Sequence, residues 1–352
     1  MISGRIGSIA VVAVVTLASS LVLAQRASNH NLPATGDCLV DLATCKKAAG
    51  FGDPAAQNKL GLLYITGNGV SRDDVEAMRL FMLSAASGSP VGQFEIGMMF
   101  LQGVGVKADP ESAARWFRRA ADRGYAPAEN NLAIGYATGS GVQRDTGRAL
   151  KLMRSAAKQK FPPAEYNLAR MYAEGLAGKK DPQQALRWLT SAAEHGYAYA
   201  QYDLGRRYTL GEGVRKDDSE AARWFHFAAD QGLDTAQFSL GVYYRDGRGV
   251  PLDASLAAAW FREAAEQGMP AAQVNLGFQY ETGSGVEKDY AQAFKWYHAA
   301  AAQQFAVAEY NLGVCYQQGI GVETDLEKAR LWYQRAADHG YIDGRFALTA
   351  MR

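Results

Sequence analysis

Residues 197–232, YAYAQYDLGRRYTLGEGVRKDDSEAARWFHFAADQG, hold the plan of the whole chain. Ala200, Leu204 and Tyr208 lie four residues apart and lay one apolar stripe along a helix of about three turns. Gly211-Glu212-Gly213-Val214 ends that helix. The first glycine suits the left-handed residue that closes a last turn, and the second lets the chain double back. Asp217 is an N-cap that accepts from the free amides of a second helix. Glu220, three residues on, completes a capping-box-like pair, as Glu76 does for Asp73. The second helix runs through Ala221, Trp224-Phe225 and Ala228-Ala229 and stops at Gly232.

The same pattern recurs every 36 residues. Steps of that length from Leu60 reach Ile96, Leu132, Leu168, Leu204, Leu240, Leu276, Leu312 and Leu348. The next residue is Gly or Ala in the first eight positions, and an aromatic stands four past each of them, from Tyr64 to Tyr316. Thirteen past is Asp, from Asp73 to Asp325, and seventeen past is Ala, from Ala77 to Ala329. All six tryptophans, Trp116, Trp188, Trp224, Trp260, Trp296 and Trp332, share one place in the unit, with Leu80 and Leu152 in the other two copies. Small residues let helix axes approach, and Tyr and Trp fill what remains between pairs. One hairpin cannot bury such a stripe alone, so the copies must stack. The sequence predicts an all-α fold, a right-handed α-solenoid of eight 36-residue helical hairpins with half-unit caps. The copies are 53–88, 89–124, 125–160, 161–196, 197–232, 233–268, 269–304 and 305–340. Residues 37–52 read as a lone second helix with Asp37 as N-cap, and 341–352 as a lone first helix with Leu348 in register.

Leu-Gly-x-x-Tyr, Gly-x-Gly-Val, Asp, Ala, Trp and Ala-Ala-x-x-Gly at this period resemble Sel1-like repeats, the longer-looped relatives of tetratricopeptide repeats. The resemblance covers about 37 to 352 and implies a scaffold or adaptor that binds other proteins, often in the bacterial cell envelope. Copy three departs from the pattern with Ala133, with Met153 and with Lys160 in place of the terminal Gly; copy four has Leu176-Ala177-Gly178 for Gly-x-Gly-Val.

Residues 1–24 carry one Arg (Arg5), an uncharged apolar run and Val22-Leu23-Ala24. They read as a secretory signal cleaved after Ala24, or as an uncleaved N-terminal anchor. A linker follows over 25–36, and the mature protein is expected to be periplasmic or secreted. With 37 Lys and Arg against 36 Asp and Glu, net charge +1, no global field favours nucleic acid. A membrane is a partner only if the signal stays uncleaved.

No catalytic, cofactor or metal constellation emerges. Ser155-Ala156-Ala157-Lys158 matches the Ser-x-x-Lys of penicillin-binding enzymes, but Ser-Asp-Asn and Lys-Thr-Gly are missing. The five histidines, His30, His195, His226, His298 and His339, do not form a zinc spacing. If one helix carries both, Cys38 and Cys45 lie about 10.5 Å apart, too far for a disulfide; only a helix that starts after Cys38 would let them pair, and Cys315 has no partner within its own copy.

Tetratricopeptide packing places the first helices on the concave side, with exposed positions two before and two after the repeat leucine and five or six after it. Tyr166, Arg170, Tyr202, Arg206, Arg207, Phe238 and Arg245 fall there, and Tyr, Phe and Arg are the residues of binding hot spots. The same aromatics could instead serve the repeat's own packing. The functional expectation is a non-catalytic adaptor that binds protein segments on this face. An envelope hydrolase or β-lactam-binding protein and an exopolysaccharide-assembly scaffold are the alternatives.

Overall fold

The computed structural model describes residues 42–176 and 178–351. The signal-like segment 1–24, the 25–36 linker, Asp37, Cys38 and Arg352 lie outside the described residues. Among the described residues there are eighteen helices and no strand, the makeup of an α-solenoid of eight hairpins.

Two compact units divide the chain after Asp181. The first contains α1 (Leu42–Gly50), α2 (Pro54–Thr66), α3 (Asp74–Ala86), α4 (Pro90–Gln102), α5 (Pro110–Ala121), α6 (Ala126–Thr138), α7 (Thr146–Lys158) and α8 (Pro162–Glu174). The second contains α9 (Pro182–Glu194), α10 (Ala198–Leu210), α11 (Asp218–Asp230), α12 (Asp234–Asp246), α13 (Ala254–Glu266), α14 (Pro270–Thr282), α15 (Tyr290–Ala301), α16 (Ala306–Gln318), α17 (Leu326–Asp338) and α18 (Ile342–Ala350). Within each unit every helix packs on the next in the chain. Below, the earlier and later helix of a copy are its first and second helix.

One hydrogen bond closes all eight copies. The backbone N–H of the recurrent Asp donates to the carbonyl of the aromatic nine residues before it, as from Asp73 to Tyr64 at 3.0 Å, Asp217 to Tyr208 at 3.0 Å and Asp325 to Tyr316 at 2.8 Å. The Asp carboxylate then caps the second helix, Asp217 accepting from Ser219 and Glu220 N–H. This corrects the expected capping box. The Asp N–H is already committed, so Glu76 and Glu220 turn outward to Arg79 and Arg223, each at 2.7 Å.

The core of each hairpin rests on the residue after the tryptophan place, which the sequence reading did not single out. Phe81, Phe117, Phe225, Phe261, Tyr297 and Tyr333 are buried against the Gly of Leu-Gly. A Cβ on Gly241 would stand 2.7 Å from two Phe261 ring carbons. Copies three and four, which carry Ala133 and Ala169 instead of Gly, have Met153 and Leu189 where the ring would be. The tryptophans sit one residue, about 100°, round the helix. Trp224 is buried, while Trp116, Trp260, Trp296 and Trp332 are half-buried. They seal the seam to the neighbouring hairpin instead of filling the hairpin itself: Trp260 packs on the cluster of Phe225 and Leu240, and Trp332 on that of Tyr297 and Leu312.

A second row joins consecutive hairpins. Three residues before the repeat leucine stands Gln57, Gln93, Glu129, Glu165, Gln201, Gln237, Gln273 or Glu309, and all eight are buried. In the second unit the Gln201, Gln237 and Gln273 amides donate to the carbonyls of Ala193, Ala229 and Ala265 at the end of the preceding second helix, at 3.1, 3.4 and 3.1 Å. Their side-chain oxygens accept from Gln231, Gln267 and Gln303 after the hairpin's own second helix, at 2.7, 2.7 and 3.1 Å. Each of these carbonyls already accepts the N–H of the closing glycine, Gly196, Gly232 or Gly268; the glutamine adds a second donor from the next hairpin and ties three elements together. Where Glu replaces it, donors converge on the carboxylate. Ser155 and Gln159 both donate to Glu129 at 2.8 Å, and His339 lies 2.7 Å from Glu309. Burial pushes the Glu129 carboxyl above its ordinary range, while the bonds from Ser155 and Gln159 pull it back.

Candidate protein-binding face

The first helices present the residues expected to bind. Tyr166 and Arg170 belong to the first unit; Tyr202, Arg206, Arg207, Phe238 and Arg245 belong to the second. Tyr166 is half-buried on α8. Arg170 pairs with Glu174 one turn on at 3.0 Å.

In the second unit the aromatics two before the leucine are half-buried and lean on the core ring of their own hairpin. Tyr202 stands 5.6 Å from Phe225 and Phe238 stands 5.7 Å from Phe261, centroid to centroid. Phe94–Phe117 and Tyr310–Tyr333 repeat the contact at 5.6 and 5.4 Å. One side of each ring therefore belongs to the hairpin's own packing.

The arginines differ in what they already hold. Arg207 donates to the Glu212 carbonyl at 3.3 Å, which braces the Gly-x-Gly loop. Arg245 grips both oxygens of Asp246, at 2.7 and 3.0 Å, and reaches Asn275 on the next first helix at 3.0 Å. Arg206 is exposed and, among the described residues, makes no hydrogen bond or ion pair. A guanidinium in that state is the strongest candidate for a carboxylate on a partner.

Two exposed apolar residues on first helices of the second unit were not picked out from sequence. Phe278, two past the leucine on α14, is 56% exposed, and Leu210, one turn after Arg206, is 57% exposed. Phe278 stood in the predicted exposed row. The equivalent Val242 and Val314 are half-buried, so only packing shows which member of the row stands out.

The remaining chemical candidates have structural partners. The Ser155 hydroxyl donates to Glu129 and not to the exposed Lys158. Cys45 is buried and donates to the Ala56 carbonyl at 3.8 Å; Cys38, and with it the Cys38–Cys45 spacing, lies outside the described residues. Burial, with Glu281 nearby, pushes the Cys315 thiol up to about 12, far from thiolate character at neutral pH. His226 lies 2.9 Å from Asp230, and His298 meets the edge of Trp332. Among the described residues no group of three His, Cys, Asp or Glu could hold a metal ion. No described helix is long and apolar enough to cross a membrane.

The model of the Sel1 repeat family matches eight times, at residues 54–89, 90–125, 126–161, 162–197, 198–233, 234–269, 270–305 and 306–341. The chain belongs to the Sel1 repeat family. Among solved structures, a protective antigen present in uropathogenic Escherichia coli strains and displaying an SLR fold is 32% identical. That match covers 89% of this chain and 67% of that one, with a TM-score of 0.73. A Sel1 repeat protein from Oxalobacter formigenes is 30% identical over 94% of this chain and 93% of its own, with a TM-score of 0.59. Comparison with curated proteins finds no match. Sel1 repeat proteins generally mediate protein–protein interactions, and the family is typically a non-catalytic scaffold.

Proposed function

We propose that this Sel1 repeat protein is a non-catalytic adaptor of the bacterial cell envelope, periplasmic or secreted, that holds segments of other proteins on its first-helix face. The observation that carries this reading is the exposed, uncommitted Arg206 beside Leu210 on a helix whose other side is locked by Leu204, Gly205 and Gln201 in the core. A preformed surface of this kind loses little entropy on binding. The signal-like residues 1–24 support the envelope location.

Affinity purification from the envelope fraction, comparing the unaltered protein with a Tyr202→Ala plus Arg206→Ala variant, tests the adaptor reading. Loss of specific partners in the variant is the expected result, and retention of every partner removes the face from consideration. The amino-terminal sequence of the mature protein tests the location, with Gln25 expected as the first residue.

A further inference from the structure

The row two past the repeat leucine runs across four successive first helices of the second unit as Arg206 on α10, Val242 on α12, Phe278 on α14 and Val314 on α16. One end is an exposed cation without an ion pair among the described residues, and the other three members are apolar. Phe278 stands 56% exposed between two half-buried valines. The other arginines of these helices are committed, Arg207 to the Glu212 carbonyl and Arg245 to Asp246 and Asn275. The row therefore offers one free positive charge at a fixed end, followed by a shallow apolar track with a single raised anchor.

We propose that this row reads an extended segment of a partner protein that carries an acidic residue and, six or seven residues away, a large apolar residue. The proposal rests on the adaptor reading and specifies the partner chemistry for it. Charge complementarity sets the first contact, because an exposed guanidinium with no internal carboxylate fits a carboxylate. Phe278 sets the second, as an aromatic anchor of the type that dominates interface energetics. The spacing follows from helix dimensions. Each hairpin advances the row by about one helix diameter, about 10–12 Å, so Arg206 and Phe278 lie about 20–24 Å apart. An extended chain covers about 3.3–3.6 Å per residue, which gives the six or seven residues. Nucleic acid does not fit a row with one free cation, because its affinity comes from many phosphate contacts.

The experiment pans a displayed library of random 12-residue peptides on the full chain. The enriched peptides are expected to share an acidic and a large apolar residue six or seven positions apart. Their affinity should fall about tenfold or more on the Phe278→Ala protein, and panning on Arg206→Glu should exchange the acidic preference for a basic one. Both residues are exposed, so unchanged circular dichroism and melting temperature are expected for each variant. No enrichment, enrichment without the spacing, or equal binding to Phe278→Ala overturns the proposal. If the envelope pull-down loses its partners in the Tyr202→Ala plus Arg206→Ala variant while the library shows no spaced motif, the adaptor reading stands and this register falls.

Discussion

Gly241→Ala sets two known effects against each other. Alanine in a helix interior gains about 1 kcal/mol over glycine. The new Cβ, however, would stand 2.7 Å from Phe261 Cδ1 and Cε1 and 3.2 Å from Cγ. Ordinary carbon contacts lie at about 3.5–4.0 Å, so the ring would have to retreat by roughly 1 Å. Phe261 cannot retreat freely: it is fully buried among Ala257, Ala264, Ala265, Ala272 and Leu276, with the Phe238 ring 5.7 Å away. Overpacking of this kind costs about 1–3 kcal/mol. The net loss is then about 0–2 kcal/mol, too small a window for the single variant to be decisive.

A double-mutant cycle decides it. Phe261→Met, combined with Gly241→Ala, recreates the pairing of Ala133 with Met153 that copy three already carries. On its own it costs about 1–2 kcal/mol in lost packing, and in that background Gly241→Ala should stabilise. The coupling energy between the two sites should equal the overpacking term, about 1–3 kcal/mol. Urea denaturation of the full chain, compared by midpoint where the slope is unchanged, is the measurement, since tandem repeats need not unfold in one step. Gly50→Ala, where nothing lies within 4 Å of the new Cβ, serves as the unhindered control. Equal effects of Gly241→Ala in the unaltered protein and in the Phe261→Met background would refute the claim that glycine is there to seat the ring.

Three further outcomes can be checked. Lys160 and Gln304 occupy the terminal-glycine place with φ of 59° and 61°, so Lys160→Gly and Gln304→Gly should each raise stability by about 1 kcal/mol, read as a higher urea midpoint. Gly249→Ala should unfold the junction between the fifth and sixth hairpins, because its Cβ would meet the backbone carbonyl oxygen of Asp218 at 2.1 Å. Gly69→Ala, at the same loop place with nothing within 4 Å, should cost only the left-handed strain of about 1–2 kcal/mol, and amide exchange would separate the two. Burial raises the Glu129 carboxyl above its unfolded value, so its contribution is full below the unfolded value and is lost as pH rises through the folded one. Glu129→Gln should therefore stabilise at neutral pH, with the gain shrinking as pH falls into the carboxylate range; melting temperatures across that range give the answer, and a gain independent of pH would contradict it.

The repeat itself was legible in the primary structure because identical units must satisfy identical local rules. An Asp in each copy caps a helix, a Gly turns a chain, and a Leu-Gly stripe needs a neighbour to cover it, whatever lies further away. The row of Gln and Glu three before the leucine was equally regular, yet a polar residue at helical spacing reads as a solvated face until its hydrogen-bond partner is located. Trp224 and Phe225 are neighbours in sequence, and both are strongly apolar. Only the crossing of two helices decides that the phenylalanine lies against glycine while most of the tryptophans in the neighbouring place face a seam. The same holds for the binding face. The resemblance to tetratricopeptide packing, applied to the sequence, placed Arg206, Arg207 and Arg245 on the exposed side of successive first helices. Which of those guanidiniums is already engaged, and which aromatic keeps its surface exposed, depends on partners dozens of residues away, and the tertiary structure leaves Arg206 and Phe278 available.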